Sequence, residues 1–332
     1  MQEWHIYQGH GVPHDGIARL PAPPPWRDMT KGGENDHDVE RSAPRARAYQ
    51  SDPHIVDAVN AALLLRRPLL VTGRPGTGKS TLAHHVAREL GLGRVLSWPV
   101  TSRTTLKDGL YTYDAIGRLR EAGRVAAAHT RPASEPPPHA EERSDIGTYL
   151  RLGPLGTALL PSRRPRVLLV DELDKSDIDL PNDLLHVFEE GEFVIPELVR
   201  LAKEPIVDVL TDDPGGVATV ARGQVRCGEF PFVVITSNGE REFPAAFLRR
   251  CVRLELPEPD MEKLTRIVEA HLGSGATDRA RHLIETFLRN RDEGLLSTDQ
   301  LLNAIFLSRG NGTAENREEL VRMLLRPLGP GT

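Results

Sequence analysis

This 332-residue sequence predicts an α/β fold: a parallel sheet flanked by helices, followed by a separate helical domain. Three observations predict it. The apolar run 68–72 leads into Gly73-Arg74-Pro75-Gly76-Thr77-Gly78-Lys79-Ser80 and then into 81–90, where Leu82, Ala83, Val86 and Leu90 share one helical face. Two later apolar runs end in Asp171-Glu172 and in Thr236-Ser237-Asn238, as strands buried on both faces do when they carry polar groups to the edge where ligands bind. From Glu258 onward the apolar residues recur only at helical spacing.

The glycine loop carries the chemistry. Its spacing, G-x-x-x-x-G-K-[ST], lets successive backbone N–H groups converge on phosphate oxygens with no Cβ in the way, and the following helix adds its positive end. In such a P-loop NTPase arrangement Lys79 reaches the β- and γ-phosphates and Ser80 ligates Mg²⁺. The nucleotide-binding set is therefore Gly73, Pro75, Gly76, Thr77, Gly78, Lys79, Ser80 and Thr81, with Asp171. Asp171 holds the Mg²⁺ ion together with Ser80, and Glu172 polarises the water that attacks the γ-phosphate. Asn238 is expected between the Asp171 strand and the glycine-loop strand, in reach of that water or of the γ-phosphate.

Composition narrows the class. Hydrophobic residues make up 39% and charged residues 27%, as in a soluble globular protein. No apolar run approaches about eighteen residues and the first residues show no signal-peptide pattern, so a cytoplasmic address is expected, without membrane contact. Two cysteines, Cys227 and Cys251, lack metal-ligand spacing and read as small buried hydrophobes. A net charge of -5 gives no support to nucleic-acid binding.

Taken in order, residues 1–48 form an arm and linker: Trp4, Tyr7 and Trp26 with a proline-rich stretch suggest a segment lying along the main body, and 30–46 is charged and poor in apolar residues. His5, His10 and His14 read as polar loop residues, not a metal set. The α/β domain spans 49–257, opening with an Asp52-Pro53 helix whose buried side is Ile55, Val56, Ala58, Val59, Ala62 and Leu63. Helices in this position often wall an adenine base. Residues 94–100 read as a second strand, and an insertion of about 104–164 follows, partly helical near 111–119 and low in complexity at 132–138. A helix over 180–190 ends at Gly191 as C-cap, and 192–196 reads as one strand of a hairpin. In the helical domain, 258–332, Leu264, Ile267, Val268 and Leu272 mark one helix and Leu283, Ile284, Phe287 and Leu288 a second. Leu301, Leu302, Ile305 and Phe306 mark a third, capped by Ser297 or Thr298, and Leu320, Val321, Leu324 and Leu325 a fourth.

The order of these motifs resembles the AAA+ ATPases. Val170-Asp171-Glu172-Leu173-Asp174-Lys175, Thr236-Ser237-Asn238 and Pro244-Ala245-Ala246-Phe247-Leu248-Arg249-Arg250-Cys251 look most like the MoxR-like branch. The resemblance implies an ATP- and Mg²⁺-dependent ATPase working as a homo-oligomeric ring, commonly a hexamer, with nucleotide between neighbours. It also implies a lid over the nucleotide, Arg250 as first and Arg249 as second candidate for the arginine delivered to the next subunit, and Asn238 as γ-phosphate sensor. Its work would be remodelling or assembly of a client or effector protein, one with a von Willebrand type A domain among the candidates. The alternatives are a slow-turnover ATP-binding switch in a bacterial defence or signalling system, and a nucleic-acid-associated AAA+ NTPase. Ser297-Thr298-Asp299-Gln300 departs from the family in having no arginine where many members carry one; Arg281 and Arg309 are the substitutes within the lid.

Overall fold

Each buried apolar run becomes a parallel strand in the computed structural model, which describes residues 6–19, 51–129, 146–201, 206–272, 277–293, 296–308 and 325. Helix α1 (Pro53–Leu65), strand β1 (Leu69–Thr72), α2 (Lys79–Glu89) and β2 (Val95–Pro99) come first. The insertion follows as α3 (Leu106–Leu110), β3 (Tyr111–Tyr113), α4 (Ala115–His129), β4 (Leu150–Leu152) and α5 (Pro154–Ala158). Next are β5 (Val167–Asp171), α6 (Leu180–Glu190), β6 (Glu192–Val194), α7 (Pro196–Val199), β7 (Ile206–Leu210), β8 (Val217–Ala221), β9 (Gln224–Arg226), β10 (Phe232–Ser237), α8 (Ala245–Leu248) and β11 (Val252–Glu255). The helical region contributes α9 (Met261–Leu272), α10 (Thr277–Glu293) and α11 (Thr298–Ser308).

The main sheet has five strands in the order β11-β1-β10-β5-β2, all parallel. Period-two alternation splits its side chains between two cores. Leu70, Leu96, Leu168, Val170, Val233 and Ile235 face one side, and Leu69, Val71, Val167, Leu169 and Val234 the other. The second face is covered by α1 and α2 and also by Ile6, Tyr7 and Ile17, so residues 6–19, the described part of the arm, pack along the body. Asn60, buried on α1, holds it there by accepting N–H bonds from Ile6 and Tyr7 and donating to the Tyr7 carbonyl. The first face is covered by the insertion and by a six-stranded sheet, β3-β4-β7-β8-β9-β6.

One local expectation changes. Strand β6 is not half of a local hairpin: it pairs antiparallel with β9, and the hairpins in this region are β7–β8 and β8–β9. The stretch 111–119 opens as strand β3, because Tyr111–Tyr113 pairs with β4, and turns helical at Ala115. Gly191 does cap α6, in the left-handed conformation at φ 66. The fourth helix expected near 320–325, the 30–46 linker, the 132–138 stretch, Trp4, His5 and Trp26 lie outside the described residues, apart from Leu325, which packs in the lid core with Leu264, Ile284, Phe287 and Leu301. Asp52 precedes α1 but makes no cap bond; its carboxylate pairs instead with Lys263 of α9 at 2.8 Å. Among the described residues no helix is long and apolar enough to cross a membrane.

Candidate nucleotide site

The glycine loop joins the end of β1 to the start of α2, so it sits at the carboxyl edge of the sheet. Gly76 and Gly78 have φ of 80 and 89, values that L side chains rarely adopt. Thr77 Oγ1 donates to the Arg74 carbonyl at 2.9 Å. Lys79 is buried at the first turn of α2, and its Nζ donates to the carbonyls of Gly73 at 2.7 Å and Arg74 at 2.9 Å. Burial lowers its pKa, while Asp174, Asp171 and Glu172 pull it back up.

Strands β5 and β10, adjacent in the sheet, end in a continuous polar network. Asp171 Oδ1 accepts from Ser80 Oγ and from Thr236 Oγ1, both at 2.7 Å, and Thr236 Oγ1 in turn accepts the Glu172 N–H at 2.8 Å. Glu172 is left-handed, φ 60 and ψ 48. A non-glycine residue in that region is held against its preference by about 1–2 kcal/mol, a kind of strain that clusters at functional sites. Its Oε2 pairs with Lys175 Nζ at 2.7 Å, which raises the Lys175 pKa, and its Oε1 faces Asn238 Nδ2 at 3.4 Å.

One cleft of ≈ 320 Å³ is lined by Gly76, Lys79, Ser80, Asp171, Glu172 and Asn238, with Pro75, Gly78 and Thr81 on its loop side. Gly73 and Thr77 belong to the same loop but do not line this cleft; Thr77 lines the cavity next to it. Strand β10 lies between β1 and β5, so Asn238 stands where the sequence places it. Leu302 of α11 closes the cleft from the lid. A second cavity of ≈ 310 Å³ adjoins the loop and is lined by Arg74, Glu258, Phe287, Arg291, Leu296 and Ser297; its walls come from the loop and the helical region, with none from α1.

Arg249 and Arg250 are elsewhere. They precede β11, and the Arg249 carbonyl accepts from Arg67 while the Pro68 carbonyl accepts from Val252, so both arginines sit at the amino end of the sheet. The length of β1, about 13 Å of strand, separates that end from the glycine loop. Arg250 Nε pairs with Glu189 of α6 at 2.8 Å; the Arg249 side chain is exposed.

Sequence reasoning gave no role to Thr236 and Asp174. Asp174 is 3% exposed, its Oδ2 accepts the N–H groups of Asn238 at 2.9 Å and Glu240 at 3.0 Å, and its Oδ1 has no partner. The signal was an acid directly after an invariably buried-looking Leu173, which reads equally well as a solvated turn. Sequence reasoning also missed Glu89, fully buried at the end of α2. It accepts backbone N–H bonds from Gln8, Gly9 and Gly11 and a bond from His14 Nε2. His10, His14 and Glu89 bring one ligand atom each within 4.8 Å. Nδ1 of His10 accepts from Val12 N and Nδ1 of His14 from Gly16 N, so each neutral ring carries its proton on Nε2. Through its bonds to Glu89, the cluster ties the described part of the arm to the end of α2.

No curated protein matches the chain. A family model does: the AAA domain, dynein-related subfamily, matches residues 68–251, from the first residue before β1 to the cysteine before β11, which is more than half of the 332 residues. Proteins of this kind generally use ATP with Mg²⁺ and commonly assemble as rings. With the glycine loop, four of the five strands of the parallel sheet and the acidic end of β5 inside the matched span, this chain belongs to the AAA domain family, dynein-related subfamily.

Proposed function

We propose that the chain binds Mg·ATP in the ≈ 320 Å³ cleft and hydrolyses it, using the energy to remodel or assemble a partner protein in the manner of the MoxR-like branch. The observation that carries this reading is the convergence of Lys79, Ser80, Asp171, Glu172 and Asn238, from three chain segments, on one cavity at the carboxyl edge of the sheet. The loop N–H groups and Lys79 cradle the phosphates; Lys79 leaves its loop carbonyls to do so. Ser80 and Asp171 already bring a hydroxyl and a carboxylate oxygen within 2.7 Å of each other, the hard oxygen donors that Mg²⁺ selects. The ion supplies charge neutralisation on the β- and γ-phosphates. Glu172 takes the proton from the attacking water, and Asn238 holds that water or a γ-phosphate oxygen.

Arg250, and Arg249 as second choice, complete the site of the next subunit in a ring, a hexamer by family resemblance. Their position at the amino end of the sheet supports delivery in trans, because neither can fold back to its own loop across the sheet. Arg250 must leave Glu189 to be delivered. The working units are an arm and linker over 1–48, an α/β domain over 49–257 with its insertion, and a lid over 258–332 in a cytoplasmic protein. The client is a protein, with a von Willebrand type A domain as one candidate drawn from the resemblance.

A second reading, the slow-turnover switch, is favoured by the Lys175–Glu172 pair: Glu172 Oε2 is engaged by Lys175 Nζ at 2.7 Å and must be released before that oxygen can receive the attacking water. Both readings share one test. Glu172→Gln is expected to keep nucleotide affinity and to lower turnover by about 10²–10⁴; undiminished hydrolysis would remove Glu172 from this role. Repeated turnover that rises with partner favours the remodelling reading, whereas a chain that stays nucleotide-loaded favours the switch.

A further inference from the structure

The lid has no arginine at the start of α11, so its link to the nucleotide must run through other groups. The structure shows the glycine loop touching the lid and its connection at three successive places. At the base of the loop, Leu256 N donates to the Thr72 carbonyl at 2.8 Å, and a Cβ on Gly73 would lie 2.8 Å from the Leu256 carbonyl oxygen. At its tip, a Cβ on Gly76 would lie 2.8 Å from Thr298 N and 2.9 Å from Ser297 Cβ, at the start of α11. Between them stands Glu258, in the connection from β11 to α9. Its Oε1 pairs with Arg74 Nη1 of the loop at 2.8 Å and its Oε2 with Arg291 Nε of α10, also at 2.8 Å; Arg291 Nη1 further donates to the Pro259 carbonyl at 2.7 Å.

The geometry points to Glu258 as a positioning residue that transmits the state of the glycine loop to the lid, one carboxylate oxygen held by the loop and the other by α10. This rests on the nucleotide reading of the cleft. Nucleotide entry reshapes the loop, because Lys79 must leave the carbonyls of Gly73 and Arg74. Arg74 moves with its own carbonyl and draws on Glu258, which draws on Arg291. The Arg74 side chain is 60% exposed and its pair is individually weak, while Arg291 and Glu258 are 16% and 28% exposed and better shielded from water. The outer pair is open to water and the inner one is a shielded ion pair in which Arg291 Nε makes no aligned hydrogen bond, so the link biases the lid between arrangements without locking either. Arg291 is already engaged by Glu258 and Pro259, so it acts on the lid and not as a phosphate ligand.

The test is hydrogen exchange over α9–α11 in the full chain, with and without Mg·ADP, alongside nucleotide affinity and steady-state kinetics for Arg74→Ala, Glu258→Gln, Glu258→Asp and Arg291→Ala. In the unaltered chain nucleotide should slow exchange across the lid. Arg74→Ala and Glu258→Gln should lose that nucleotide-dependent difference, keep affinity within about threefold, and lower kcat about five- to tenfold at nearly constant KM, with Glu258→Asp partly restoring both. Because Arg74 is exposed and outside the lid core, its variant remains informative even if Glu258→Gln loosens the lid. Lid protection that persists in both variants would overturn the proposal, as would a loss of affinity of about tenfold or more in Arg291→Ala, which would make that arginine a phosphate ligand. Failure of the unaltered chain to bind nucleotide at all would instead sink the reading of the cleft.

Discussion

The two ends of the parallel sheet differ in kind. At the carboxyl end, the ends of β5 and β10 and the loop after β1 are tied by short side-chain bonds, Ser80 to Asp171, Thr236 to Asp171 and Asn238 N to Asp174. At the amino end, Arg250 holds only an exposed pair with Glu189 and a carbonyl of α8's first turn, and Arg249 points to solvent. One end is tied into a polar network, and the other carries two arginines that this network does not reach. Preorganised dipoles lower a barrier because they need no rearrangement during the reaction. Under the proposed ring, the difference teaches that the two ends are halves of a site that cannot meet within one chain.

The largest effect should come from breaking the amino end. Arg249→Ala with Arg250→Ala is expected to lower turnover by about 10³ or more while leaving nucleotide affinity nearly unchanged. Mixing that variant with Lys79→Ala subunits should restore part of the activity, since each supplies the end the other lacks; steady-state assays across mixing ratios check this, and no restoration at any ratio would count against a shared site. Between the ends, Ile235→Ala on β10 should destabilise the α/β core by about 2–5 kcal/mol in denaturant unfolding, since the side chain is fully buried. The corresponding lid change, Leu301→Ala, should lower lid protection in hydrogen exchange with less effect on that core transition, because Leu301 packs in a separate cluster.

The smallest effect concerns Cys251, beside the two arginines. Burial pushes its thiol up to about 12 from the usual 9.0, with Arg67 opposing. A raised thiol pKa means the folded chain favours the protonated form, so this contribution is intact below about 9 and is lost as pH rises toward about 12. Cys251→Ala should therefore flatten the alkaline limb of stability against pH in thermal unfolding, with no change near neutrality.

The carboxyl end was legible in the sequence and much of its surroundings was not. Strands buried on both faces, such as 167–171 and 232–237, show as unbroken apolar runs, and the glycine loop has a spacing that backbone geometry demands. The hairpin β7–β8 alternates, Val207 and Val209 inward with Ile206 and Asp208 outward, over stretches too short to separate from a loop without knowing their distant partners. Strand β6 shows the same limit, since its partner β9 lies beyond that hairpin. Glu89 looks like a solvated acid at a helix end; only the arm, far away in sequence, buries it. Asp174 likewise becomes structural only because the loop after β10 folds over it. What the sequence left unread are contacts decided by segments far apart in the chain.

The central claim is that the cleft at the carboxyl end takes a triphosphate, and equilibrium binding of Mg·ATP by titration calorimetry tests it most directly, comparing the unaltered chain with Lys79→Ala. Saturable binding near one nucleotide per chain, weakened by about 100-fold or more in Lys79→Ala, is the expected result. Equal affinity in the two proteins, or no binding to either, would contradict it.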